Sequence, residues 1–399
     1  MLSKKFRSRR LKAKLFSYID CLLPRQKEKI LFVVKDRTFY SGNLRVTLEA
    51  YIKHKKDHLY IYKDGPLSDK LKKELEEQGV TVLHGFTLHT IWHILTSGTV
   101  ILSHNPRDAH LTKKCKNRKI INLWHGVAIK QIELLMPTIE KKKLHQLQNN
   151  SKLYDMVIAS SEQDKITNAR AFGVSPEKVK VTGLPRYEIL KKEYVPGKVL
   201  QEEIASIQMV KKERKLVLFA PTFRENHISA LHQFTDEEWE QLDMFARQNN
   251  ILFGIRPHPY DVKELPEMIR DSTNFHLFVN TRYTEPNILL KYSDVLVVDF
   301  SSIWIDFLLL QRPIVGFSKD FQHYLKRERG FIYDFQSVFP GNFLETVPDL
   351  LAELRSQLNN AGPVIYQEAL KKFHAHSLDY DFAEKIYQET EKIRNFGNE

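Results

Sequence analysis

Five short stretches place reactive or anion-holding side chains directly behind apolar runs. They are "WHG" at 124–126, "TGLPRYE" at 182–188, "APTFRE" at 220–225, "RPHP" at 256–259 and "DFSSIWID" at 299–306. Arg186, Arg224 and Arg256 can each give two parallel hydrogen bonds to phosphoryl oxygens. Ser301 and Ser302 stand where an apolar strand becomes a helix, so hydroxyls and backbone amides could meet an anion there, with Asp306 one turn on. Taken alone, each stretch has an ordinary structural reading. His125 could be a polar residue at a turn, "RPHP" could simply fix chain direction, and Ser301 could be a helix cap. Together they supply histidine bases and a phosphate-holding set without a glycine-rich phosphate loop, a GxGxxG turn or an acidic metal-binding pair. That combination fits transfer of a phosphoryl-containing group, in which positioning and charge stabilisation dominate and one base activates the attacking hydroxyl.

The elements that must position these residues read as strand and helix in alternation. Strands are expected at Ile30–Val34, His58–Tyr62, Val80–Leu83, Val100–Ser103, Lys119–Leu123, Asp155–Ala159 and Lys178–Val181. After a polar stretch near 195–215 the pattern restarts with Leu216–Ala220, Ile251–Ile255, Phe275–Val279, Val295–Asp299 and Pro313–Phe317. Ser161 and Thr235 open helices as caps, and Gly173 closes one. The fold class is therefore α/β, with two Rossmann-like domains facing across a cleft. Residues 1–24 form a basic amphipathic segment, 25–195 the N-terminal domain and 196–399 the C-terminal domain.

A chain of 399 residues with 42% hydrophobic content is long enough for two cores. The net charge of +12 is uneven, because Lys4, Lys5, Arg7, Arg9, Arg10, Lys12 and Lys14 all precede the first acid, Asp20. Leu11, Leu15, Tyr18 and Leu22 fall on one helical face beside them, which suits either an interfacial helix on anionic lipid or a solvated tail leading into a packed helix. No apolar run approaches the roughly 18 residues needed to span a bilayer. Cys21 and Cys115 sit in no CxxC pattern, so neither a disulfide framework nor a zinc site is expected, and a reducing compartment fits best. No nucleic-acid module accompanies the positive charge.

In the same order and with similar spacing, "WHGVAIK", "TGLPR", "APTFR", "RPHP" and "DFSSIWID" resemble the motifs of the CDP-glycerol glycerophosphotransferase family, the teichoic-acid primases and polymerases, including ribitol-phosphate and capsule-type enzymes. The stretches at 39–52 and 308–335 are similar to that family as well, so the resemblance covers about residues 28–340. It implies a GT-B-like fold and transfer of a polyol phosphate from CDP-glycerol or CDP-ribitol to a hydroxyl of a lipid-linked or glycan acceptor, releasing CMP. A nucleotide-sugar glycosyltransferase on the same fold is the competing expectation. Carried over, His125 is the general base in an acceptor domain, and His258 in a CDP-donor domain steadies the diphosphate or the departing CMP. Thr222, Arg224, Ser301, Ser302 and Asp306 form the donor pocket, with Arg186 and Arg256 also on the donor side. Lys130 and Gly126 serve the acceptor. No tightly bound cofactor is implied; Mg2+ is allowed, although no metal site is evident. The location implied is peripheral, on the cytoplasmic membrane face through residues 1–23, with no nucleic-acid partner. Val127, Ala128, Phe223 and Phe300 stand where the family pattern usually has Thr, Pro, Trp and Tyr.

Overall fold

The computed structural model describes residues 19–36, 38–55, 58–222, 231, 234–257, 265–321, 330–359 and 362–395. The basic run at 4–14, Arg224 and His258 lie outside them. The chain divides into two compact units. The first comprises Met1–His125, Ile132–Glu188 and Asp379–Glu399; the second comprises Gly126–Gln131 and Ile189–Leu378.

The first unit holds seven strands: β1 (Gln26–Val33), β2 (His58–Lys63), β3 (Thr81–His84), β4 (Ser97–Leu102), β5 (Lys119–Asn122), β6 (Met156–Ala159) and β7 (Val179–Val181). All pairings are parallel, in the order β3-β2-β1-β4-β5-β6-β7. Helices cover parallel strands on both faces, so the strands read as unbroken apolar runs, and all six residues of β4 are buried. Leu31, Val33, Val100, Leu102, Ile120 and Val157 belong to one core. Strand order reverses between β1 and β4, which opens a crevice outside their carboxyl ends.

The second unit repeats the plan with β8 (Lys215–Ala220), β9 (Ile251–Ile255), β10 (Phe275–Leu277), β11 (Val295–Val298), β12 (Ile314–Phe317) and β13 (Phe343–Leu344). Its order is β10-β9-β8-β11-β12-β13, again parallel, so its switch point lies between β8 and β11. Every expected strand has a counterpart, and only the two-residue β13 had no signal in the sequence. The expected caps are also present. Ser161 accepts the amide of Asp164, Gly173 takes the left-handed conformation, and Thr235 with Glu238 forms a complete capping box.

Two expectations change. Residues 379–399, read as part of the C-terminal domain, belong to the first unit, where the helix Phe382–Asn395 packs on the helix Gly42–His54. His54 stacks on Tyr387 at 3.6 Å, Tyr51 donates to Glu391 at 3.0 Å, and the amide of Phe382 donates to Glu188 at 3.1 Å. Cys21 and Cys115, read as unpaired, are joined in a disulfide with Cα atoms 5.2 Å apart. The cause is tertiary. Buried Asp20 pairs with Arg25 at 3.1 Å and with Arg118 at 2.6 Å, and these contacts hold the 19–22 turn of helix against the loop that carries Cys115.

Candidate functional site

His125 follows β5 through a sharp turn in which Trp124 takes a left-handed conformation, φ 48°. For a bulky residue that conformation costs roughly 1–3 kcal/mol and persists only where surroundings enforce it. Here Asn43, in the first turn of the helix Gly42–His54, donates through one amide nitrogen to the carbonyls of Leu123 at 3.0 Å and Trp124 at 3.1 Å. The Asn122 side chain accepts the Trp124 amide at 2.9 Å. The oxygen of Asn43 accepts the Arg186 amide at 3.2 Å, and the Arg186 guanidinium reaches the His125 carbonyl at 2.6 Å. The turn is thus held from three separate elements.

The His125 ring is oriented as firmly as its backbone. Nδ1 lies 3.2 Å from the Ser103 carbonyl, and because a carbonyl can only accept, Nδ1 carries the hydrogen and Nε2 keeps its lone pair. The imidazole of His104 stacks on it, with centroids 4.4 Å apart and planes within 14°, and Trp124 closes another side at 4.0 Å. One edge of the ring stays open to solvent, yet the packed strand ends around it desolvate the imidazole. Burial therefore lowers its pKa to about 4, the Ser103 bond opposes the shift, and Arg186 and Lys35 add to it. Burial first, then His125 and Lys35, hold His104 well below the usual histidine value too. Both rings are neutral at physiological pH. His104 and Asn43 were not singled out from the sequence, although "ILSHN" at 101–105 has the same strand-end pattern as "INLWHG".

The residues after His125 join the second unit. Lys130 forms an antiparallel bridge with Phe331, Gln131 donates to the carbonyl of Gly330 at 2.8 Å, and Ile332 donates to that of Ile129 at 2.9 Å. Val127 and Ala128 are 2% and 7% exposed, which is why apolar residues serve where the related pattern has Thr-Pro. Gly126 and Lys130 therefore stand on the second unit's strip, while His125 stands on the first.

In the second unit the carboxyl ends of β8 and β11 are tied together. Buried Asp299 accepts the Thr222 amide with both oxygens, each at 2.9 Å. Ser301 and Ser302 follow at the mouth of the short helix Ile303–Leu308, both only partly buried, and Ser302 occupies its cap position. Phe300 is fully buried, and the rings of Phe321, Phe331, Phe335 and Phe343 pack against it.

Three residues from the sequence set sit differently from open anion ligands. Arg256 is buried and spends its guanidinium on the Tyr283 carbonyl at 3.0 Å and Asn280 Oδ1 at 2.7 Å, while Asn280 donates to the Pro257 carbonyl at 2.9 Å. Burial lowers its pKa to about 10 against the pull of Glu285 and Glu203. These hydrogen bonds tie Arg256 and, through Asn280, the Pro257 carbonyl to the segment 280–283. Asp306 is 1% exposed and accepts from Asn287 at 3.1 Å. Arg186 lies in the first unit beside His125. Among the described residues no group of three His, Cys, Asp or Glu side chains is placed to hold a metal ion.

Residues 15–390 match the family described as CDP-Glycerol:Poly(glycerophosphate) glycerophosphotransferase. The teichoic acid poly(ribitol-phosphate) polymerase of Bacillus spizizenii is 28% identical over 370 residues, which cover 88% of this chain and 55% of that protein. The chain therefore spans about half the length of that relative. The teichoic acid poly(glycerol phosphate) polymerase of the same organism is 28% identical, with 85% of this chain and 86% of the relative covered. Among solved structures, a variant of the wall teichoic acid polymerase TagF soaked with CDPG superposes with a TM-score of 0.75 at 17% identity, covering 96% of this chain and 93% of that one.

Proposed function

The chain belongs to the CDP-glycerol:poly(glycerophosphate) glycerophosphotransferase family, and from that premise we propose that it moves a polyol phosphate from a CDP-activated donor to an acceptor hydroxyl, releasing CMP. Glycerol phosphate is the first expected donor group and ribitol phosphate the second, since relatives of both kinds match. The acceptor is a lipid-linked or glycan hydroxyl, and the polymer is of the teichoic-acid or capsule type.

The observation that carries this reading is the fixed tautomer of His125. Its Nδ1–H is committed to Ser103, so Nε2 can take the proton of the acceptor hydroxyl. The freed oxygen attacks the phosphorus that bears the polyol, and the bond from that phosphorus to the bridging oxygen of CMP breaks. His258 and Arg224 are assigned to the departing charge by motif resemblance. Thr222, Ser301 and Ser302 stand at the β8/β11 switch point, where a diphosphate meets hydroxyls and amides. Asp306 acts on the pocket through Asn287, and Arg256 through Asn280 and the Pro257 carbonyl. Lys130 and Gly126 border the acceptor. Mg2+ travelling with the diphosphate is compatible with this scheme. A peripheral position on the cytoplasmic membrane face, through residues 1–23, is part of the proposal; among the described residues no helix is long and apolar enough to cross a membrane.

CMP release by the purified chain, given CDP-glycerol or CDP-ribitol and a lipid-linked acceptor, tests the reading. His125→Ala should lower it by about 10²–10⁴-fold while the protein stays folded. Silence with both donors, together with a thermal midpoint raised by a UDP-sugar, would replace this reading with a nucleotide-sugar glycosyltransferase.

A further inference from the structure

The first unit has a concave site at the amino ends of its strands, the opposite end from His125. A cavity of about 410 Å³ opens beside the amino ends of β1, β4 and β5, lined by Lys27, Gly98, Thr99 and Lys119 together with the loop residues 114–118. His125 follows the carboxyl end of β5, so the four residues of that strand, about 13 Å of extended chain, separate the two places. Arg25, Arg118 and Arg394 complete a strongly cationic wall in which Asp155 is the single carboxylate.

Its charges fall into two kinds. Those at the base are fixed by the fold: Arg118 donates to the carbonyls of Ser97, Ile94 and Leu95 and to Asp20, and Lys114 to the Leu153 carbonyl and Asp155. Lys27 and Lys116 at the rim are exposed on flexible stems. Fixed cations below and adjustable ammonium groups above are the components of a clamp for a compact, multiply charged anion. Asp20 answers Arg25 and Arg118, Asp155 answers Lys114 and Glu391 answers Arg394, so the cations that line the cavity still outnumber the carboxylates paired with them. The volume falls within the range of small-ligand sites. Cys115 is also part of the wall, so the disulfide to Cys21 ties the start of the described chain to the cavity.

We propose that this cavity binds a phosphate-bearing anion, either a lipid headgroup or a free phosphate compound, at a site separate from the transfer centre. It is independent of the proposed reaction. The test uses the full chain and two probes, inorganic pyrophosphate by titration calorimetry and phosphatidylglycerol-containing phosphatidylcholine vesicles by flotation. Lys27→Glu/Lys116→Glu is compared with Lys53→Glu/Lys152→Glu, an equal charge change at exposed lysines that do not line the cavity. Binding to the donor side is common to both proteins, so the difference between them reports the cavity. The rim variant should bind at least one probe about tenfold or more weakly than the control. Loss confined to pyrophosphate identifies a free phosphate ligand, and loss confined to vesicles identifies a headgroup. Equal binding of both probes by the two variants, or no binding by the parent chain, overturns the proposal. Lys27→Gln/Lys116→Gln gives the same comparison with less perturbation of the surface charge.

Discussion

At the residue scale the proposed chemistry turns on His125 and what surrounds it. Its folded pKa of about 4 lies below the ordinary value of 6.5, so folding favours the neutral ring. The unfolded chain takes up the proton first, and this group therefore subtracts stability as pH falls from 6.5 through about 4 and has no effect above. For the reaction, the acid limb of kcat/KM should lie near pH 4 to 5 rather than 6.5, which a pH profile of CMP release would show. His104→Ala should move that limb upward, because removing the stacked ring admits water to the base. An unmoved limb would assign His104 to packing alone. Asp299 makes a separate prediction. Asp299→Ala leaves the Thr222 amide without its carboxylate and should cost about 1.5–3 kcal/mol, measured as a lower urea midpoint, with Asp299→Asn milder.

At the scale of elements, strands were legible because parallel strands buried on both faces carry short runs of apolar residues, as Val100–Leu102, Ile120–Ile121 and Val295–Val298 do. Caps were legible because the orphan amides of a helix start demand side-chain oxygens, as at Ser161 and Thr235. The place of the C-terminal helix in the first unit was not legible, since its partners lie some 340 residues earlier, as Tyr51 does from Glu391. Gly183 reports that packing directly. Its φ is +67°, and a Cβ there would lie 2.5 Å from the Phe382 ring. Gly183→Ala should therefore strain the turn and push the helix away, lowering the thermal midpoint by several degrees, the effect of about 1 kcal/mol or more. Unchanged melting would show that the helix shifts freely.

At the scale of the molecule, two parallel-sheet units each present a switch point at strand carboxyl ends, and the chain passes from one unit to the other between His125 and Gly126. His125 and Lys130 are therefore joined by a few residues of main chain while belonging to different units. The Cys21–Cys115 bond closes a loop across a sequence separation of 94, which by loop-closure entropy is worth about 4–5 kcal/mol. Protein prepared without reductant and then denatured should titrate no free thiol, and reduction should lower its thermal midpoint. Two free thiols from the start would return Cys21 and Cys115 to the reduced state read from their spacing.

The sequence by itself determined the strand and helix succession, the two-unit α/β class and the five motifs, because burial periodicity, capping chemistry and turn residues act over a few neighbours. It also brought His125 forward as a base, through its place in an ordered set of motifs. Only the tertiary structure decided which of those residues stand open and which are spent inside. Arg256 and Asp306 turned out to be satisfied by Tyr283, Asn280 and Asn287. Asn43, Ser103 and His104, which carry no motif, hold the turn, fix the tautomer and stack on the ring of His125. Such assignments depend on contacts between residues far apart in the chain, and hydrogen-bond geometry and desolvation exist only once the strand ends have been brought together.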